Sequence, residues 1–334
     1  MKNDNENISL KNIYFLKDLV IDSFAKYWID NTYCVFNSKE NILYLVYSNE
    51  INSIISYDII ESKKINEIKN AHSDPITGFR HYFDQSNKKD LIISMSSDAN
   101  SLKLWDIQNL YCLFNIDNVY KKGYLYSATL FSDNYNNCIV TCNGSFFEYK
   151  IKVFNFERNE VKEINDSIFS AYFIDIYYDN IINKFYILTG NNGFVTSYDY
   201  KENKLYYKYG SNDGKFHDSI VINDKEKIIK LIDSSCSGEI KIFNFHSGNL
   251  LNKIKISEEW IKGICLWNND YLFVACQDKS IKLLDLEKKR IIKNLYGHKD
   301  YVLTLKIIRH PRYGECLLSQ GAYSDPIKIW IIKN

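Results

Sequence analysis

No apolar run in the 334 residues approaches the ~18 that a membrane span needs. The first residues, Met1 to Glu6, are polar, with no basic stretch leading into an apolar one, so no secretory leader is expected. Net charge is almost missing: 42 basic minus 41 acidic residues leave +1. Such a balance gives no large uniform field to attract nucleic acid or anionic membrane. The basic stretches Lys225–Lys230 and Lys288–Lys293 are broken by Glu or Ile and read as solvated strand ends. The eight cysteines are scattered along the chain. Cys138 and Cys142 stand close together, but no second Cys or His pair accompanies them, so zinc is not expected. The remaining cysteines lie in apolar contexts such as GICLW and FVACQ, as buried thiols of the cytoplasm or nucleus do. There is no GxxxxGK[ST], no GxSxG and no HExxH, which removes the P-loop, nucleophile-elbow and zincin chemistries. Proline is scarce, with 3 residues against 27 tyrosines, a bias that carries no function.

What is present is a repeated phrase. It reads IISYD at 54–58, LKLWD at 102–106, IKVFN at 151–155, VTSYD at 195–199, IKIFN at 240–244, IKLLD at 281–285 and IKIWI at 327–331. Its last bulky residue falls at Tyr57, Trp105, Phe154, Tyr198, Phe243, Leu284 and Trp330. The spacing stays near the ~40–45 residues of a four-stranded propeller blade. Apolar–polar alternation marks a half-buried strand, with the bulky residue set between neighbouring sheets. Burying an aromatic removes ~150–250 Å² from water, roughly 4–6 kcal/mol as an upper estimate. The Asp or Asn closing six of the seven phrases suits a turn that bonds nearby backbone amides.

Each phrase follows another strand-like run, such as LIISMSS at 91–97 or YLFVAC at 271–276. A third run lies upstream, as in ITGFRHYF at 76–83 and VLTLKII at 302–308, and a fourth follows, as in RIIKNLY at 290–296. The seventh unit runs out at Asn334 after three strands, while ISLKNIYFLK at 8–17 has no unit of its own. Using it as the fourth strand of the last unit closes the ring and leaves no sheet edge open. The expected fold is therefore all-β: one seven-bladed β-propeller over residues 8–334, four antiparallel strands per blade, the last blade closed by the N-terminal strand. Residues 1–7 are expected to be disordered.

These residues resemble the WD-repeat family. In that family a His in the loop before a blade, a Ser or Thr on the second strand, an Asp in the next turn and a Trp on the third strand form a hydrogen-bonded tetrad. The resemblance implies His72, Ser96, Asp98 and Trp105 in blade two, and His298, Ser319, Asp325 and Trp330 in blade seven. Blade six keeps Asp278 but has Leu284 in place of Trp, and blades one, three and four carry little beyond the aromatic–Asx signature. Such propellers are protein-binding platforms, so the expected function is a non-catalytic scaffold, a subunit or adaptor with protein or peptide partners and no cofactor. A nucleic-acid- or phosphate-binding propeller, or a propeller hydrolase or lyase with carboxylates in the channel, are the alternatives. The rim carrying the loops before each blade is the expected binding face, with Trp260, Tyr301, Phe216 and Tyr124 as aromatic anchors and Arg80, Lys122 and Lys299 as polar neighbours.

Overall fold

The computed structural model describes residues 12–19, 33–38, 41–49, 51–96, 100–121, 123–133, 137–144, 148, 150–210, 218–223, 227–323 and 325–333. Among them are twenty-eight strands in seven four-stranded antiparallel sheets. The innermost strands are Tyr33–Asn37, Gly78–Asp84, Leu125–Ser132, Ala171–Asp179, Asp218–Asn223, Ile261–Trp267 and Val302–His310. Blade one touches both blade two and blade seven through these strands, so the sheets close into a seven-bladed propeller around a channel.

The seven phrases form the third strands, from Ile54–Asp58 in blade one to Ile327–Lys333 in blade seven. Each bulky residue packs against the preceding blade. Trp105 lies with Val46 and Ile54 of blade one, Phe154 with Leu104 of blade two, and Trp330 with Phe273 and Leu283 of blade six. Seven apolar clusters result, one at each junction between blades. The core is therefore a ring of interfaces, which explains why a third strand presents an apolar residue to each side.

The Asx turns form as the sequence implies. Asp58 Oδ1 accepts the Ile60 and Glu61 N–H groups at 2.8 and 3.1 Å. Asp106, Asn155 and Asn244 do the same in their blades, and Asp199 and Asp285 accept the N–H three residues on. Four residues after each Asx, the chain turns back through the left-handed region at Ser62, Leu110, Asn159, Asn203, Gly248 and Lys289, with φ from 52 to 67°. At Gly248 an added Cβ would fall 1.6 Å from the Tyr207 ring, so glycine is required there for space as well as for φ.

Closure uses Asn12–Leu19, which pairs with the last strand from Asn12↔Lys333 to Leu19↔Ile327. Lys328 Nζ reaches Asp18 at 2.7 Å, and the Phe15 ring meets the Trp330 ring edge-on at 5.5 Å. The strand runs beyond the expected end at residue 17 because Leu19 buries with Ile327 at the junction of blades seven and one. Residues 1–7 and the expected strand start at 8–11 lie outside the described residues. No helix among the described residues is long and apolar enough to cross a membrane.

Candidate functional site

The two tryptophan blades build nearly the same hydrogen-bond relay. In blade seven, Trp330 Nε1 donates to Ser319 Oγ at 2.8 Å, Ser319 Oγ pairs with His298 Nε2 at 2.6 Å, and His298 Nδ1 pairs with Asp325 Oδ2 at 2.7 Å. Burial would raise the Asp325 carboxyl, but the hydrogen bond and charge of His298, with the Lys299 and Asp300 N–H groups, hold it below the usual carboxylate range. In blade two, Trp105 Nε1 donates to Ser94 Oγ at 2.8 Å, and Ser94 Oγ pairs with His72 Nε2 at 2.7 Å.

The serine of this relay is therefore Ser94, and the placement at Ser96 is corrected. Both are buried on the same side of the strand, yet only Ser94 pairs with Lys103, two residues before Trp105, as Ser319 pairs with Lys328 two residues before Trp330. The Ser96 hydroxyl has no partner. Asp98 lies outside the described residues; Ser101 Oγ meets His72 Nδ1 at 2.7 Å instead. Burial, aided by the Lys103 charge, pushes His72 down to about 4. The ring is neutral at pH 7, so one of its nitrogens donates and the other accepts, with Ser101 on Nδ1 and Ser94 on Nε2.

Weaker forms of the relay occur where the sequence signal is faint. In blade three Tyr120 stands in the histidine place and its hydroxyl meets Thr141 Oγ1 at 2.8 Å, with Lys152 Nζ 4.7 Å from the Tyr120 ring. In blade six Ser257 takes that place and reaches Asp278 at 3.3 Å. A recurring lysine two residues before the bulky position also ties blades together. Lys103, Lys152 and Lys282 donate to the carbonyls of Ala71, Val119 and Ile256 at 2.8, 2.9 and 3.0 Å. Its signal, the Lys in LKLW, IKVF and IKLL, was present in every one of these phrases.

On the rim, Trp260 and Tyr301 each stand one residue before an inner strand, and their carbonyls accept from Gln277 and Ala322 at 2.8 and 2.7 Å. Tyr124 holds the matching place before Leu125–Ser132. Trp260 and Tyr124 are 43% and 51% exposed, more than the packing of the blades requires. Tyr124 continues into a chain of edge-on rings, Tyr124–Tyr126 at 6.3 Å and Tyr126–Tyr172 at 5.1 Å, that crosses from blade three to blade four. Lys299 is exposed beside Tyr301, and its N–H donates to Asp325 at 2.8 Å. Phe216 and Lys122 lie outside the described residues.

Arg80 does not belong to the rim. It sits inside the Gly78–Asp84 strand opposite Ile93, one step past the Phe79–Ser94 pair. Lys306 has the same place in blade seven, opposite Leu318 and one step past Leu305–Ser319. Thr129, Asp175 and Cys265 match them in blades three, four and six. The charges of Arg80 and Lys306 both act on Cys34 of blade one and on Asp218 of blade five, so both face the channel. Burial pushes Asp218 up to about 6, against the Ile264 N–H bond and the two cations. Among the described histidines outside the relays, His81 pairs with Asp90 at 2.8 Å, His246 with Tyr206 at 2.9 Å, and His310 accepts the Arg312 N–H at 3.1 Å. No three His, Cys, Asp or Glu among the described residues gather as a metal site.

Over 118 residues, 35% of this chain, the sequence is 24% identical to the U3 small nucleolar RNA-associated protein 21 homolog of Schizosaccharomyces pombe. The match spans 13% of that protein's length. No family model matches the chain. With seven blades and two tryptophan relays, the likeness supports a propeller of the WD40 type.

Proposed function

We propose that this chain is a non-catalytic protein-binding platform, a WD-repeat propeller acting as subunit or adaptor of a larger assembly. The observation that supports it most is the matched placement of Tyr124, Trp260 and Tyr301 one residue before inner strands, with the Tyr124 and Trp260 rings exposed and Tyr301 partly buried. Rigid aromatics in such positions dominate protein interfaces, and one buried by a partner contributes ~2 kcal/mol or more. The decisive experiment is affinity capture from the native source with wild type and with the pair Trp260→Ala and Tyr301→Ala. Partner capture should weaken by about thirtyfold or more, with the melting temperature nearly unchanged. A large loss of stability would mean that the rings cap the core, and a wild-type chain that purifies without any co-eluting protein would overturn the platform reading.

The relative's name links that protein to U3 small nucleolar RNA, which favours a nuclear ribonucleoprotein setting for this chain. The balanced charge favours an indirect place there, held by protein neighbours. Ultraviolet cross-linking of the native assembly tests this. Strong direct RNA cross-links to the propeller would favour the nucleic-acid alternative.

A further inference from the structure

Enclosed cations in this ring usually have a partner. Lys103, Lys152 and Lys282 end on backbone carbonyls, and Lys328 ends on Asp18. Arg80 and Lys306 differ. Both are partly buried on inner strands, and among the described residues neither makes a hydrogen bond or ion pair. They occupy equivalent positions in blades two and seven and flank blade one, where Cys34 feels both charges.

The channel is thus polarised at this level. Its cations stand on the side of blades seven, one and two. Of its carboxylates, Asp175 stands at this level in blade four, and Asp218 stands two residues earlier on the blade-five strand, where Ile220 holds the matching place. The two sides are not equally provided for. Asp218 accepts the Ile264 N–H at 3.1 Å and Asp175 accepts the Ile176 N–H at 2.8 Å. Among the described residues the cations have no such acceptor, and no carboxylate there forms an ion pair with either. Two like charges at matching inner-strand positions on either side of blade one repel, and that repulsion is relieved most directly by an anion between them. The Arg80 guanidinium offers a planar fork that matches a tetrahedral oxyanion, and Lys306 supplies a compact second charge.

We propose that the channel binds one small oxyanion of the phosphate or sulfate class between Arg80 and Lys306, on the side of blade one. Thr129 holds the matching place in blade three, on the other side of Arg80. The carboxylates across the channel limit the site to a single anion. This is a small-ligand site in the channel, independent of any partner on the rim.

The test is isothermal titration of the full chain with sodium sulfate and with inorganic phosphate, with sodium chloride at matched ionic strength as reference, followed by thermal melts in each salt. The expected result is one binding event per chain for both oxyanions and a melting temperature that rises above the chloride value. Arg80→Gln and Lys306→Gln should each weaken the binding by about tenfold or more, the loss of one charge-assisted contact, while Lys306→Arg retains it. Equal stabilisation by chloride, or Gln variants that bind as wild type does, would overturn the site. Should the Gln variants fail to fold, crystals of the wild type grown with selenate decide it. Anomalous signal between Arg80 and Lys306 supports the site, and its absence there overturns it. Partner capture by the rim is read separately on the same variants and should not change.

Discussion

Replacing Ser94 by alanine removes the one atom that joins Trp105 to His72. Its Oγ accepts the indole N–H at 2.8 Å and meets His72 Nε2 at 2.7 Å. Ser94 is fully buried, so no water can take its place. Each of the two buried polar groups left unpaired costs about 1–3 kcal/mol, which puts Ser94→Ala at about 2–6 kcal/mol. Ser96→Ala is the internal control. Ser96 is equally buried, but its hydroxyl has no partner, so its loss should change stability by at most about 1 kcal/mol and in the stabilising direction. Urea unfolding followed by tryptophan fluorescence reads both, with the midpoint shifting at constant slope. A double-mutant cycle of Ser94→Ala with Trp105→Phe should give a coupling of about 0.5–3 kcal/mol. If Ser96→Ala destabilises as much as Ser94→Ala, the relay is wrongly assigned.

Three further outcomes are expected. His72 sits at about 4 in the folded chain against an ordinary 6.5, so the unfolded chain takes up that proton first. Its contribution is complete above about pH 6.5 and is lost as the pH falls toward 4, about 3 kcal/mol in all; urea midpoints across that window should fall more steeply for wild type than for His72→Gln. Deleting residues 12–19 exposes the apolar surface that Ile13 and Leu19 cover, about 1.5–3 kcal/mol for each side chain, and opens the edge of the last strand. The deleted chain should melt lower and self-associate, as read by light scattering, and an unchanged melt would refute closure by this strand. Gly248→Ala forces a Cβ toward Tyr207 and should destabilise by more than the ~1 kcal/mol that left-handed φ alone costs, whereas Lys289→Gly, at the same turn position in blade six, should be neutral or stabilising by calorimetry.

The residues that were legible in advance share a property: the partner that defines each lies a few positions away or repeats along the chain. Asp58 and Asn244 announce their turns because the amides they bond are two and three residues on. Trp105 and Trp330 announce third strands through alternation around them. Ser94 was misplaced although its signal existed. Eleven residues separate it from Trp105, as eleven separate Ser319 from Trp330, whereas Ser96 lies on the same face and passes every test except that count. Tyr120 and Thr141 were hidden because they fill the relay with chemistry that the His–Ser–Trp pattern does not describe.

Fold and closure follow from the sequence alone, because strand alternation, Asx turns and the burial of one bulky residue per blade act over short distances and recur seven times. The channel is different. Arg80 reads as a rim residue until the strand registers fix its depth, and nothing local connects it to Lys306, Cys34 or Asp218. Those side chains come from four blades and meet only when the ring shuts. Tertiary structure therefore decided where the uncompensated charge lies, since that depends on which strands converge and not on what stands beside each residue in the chain.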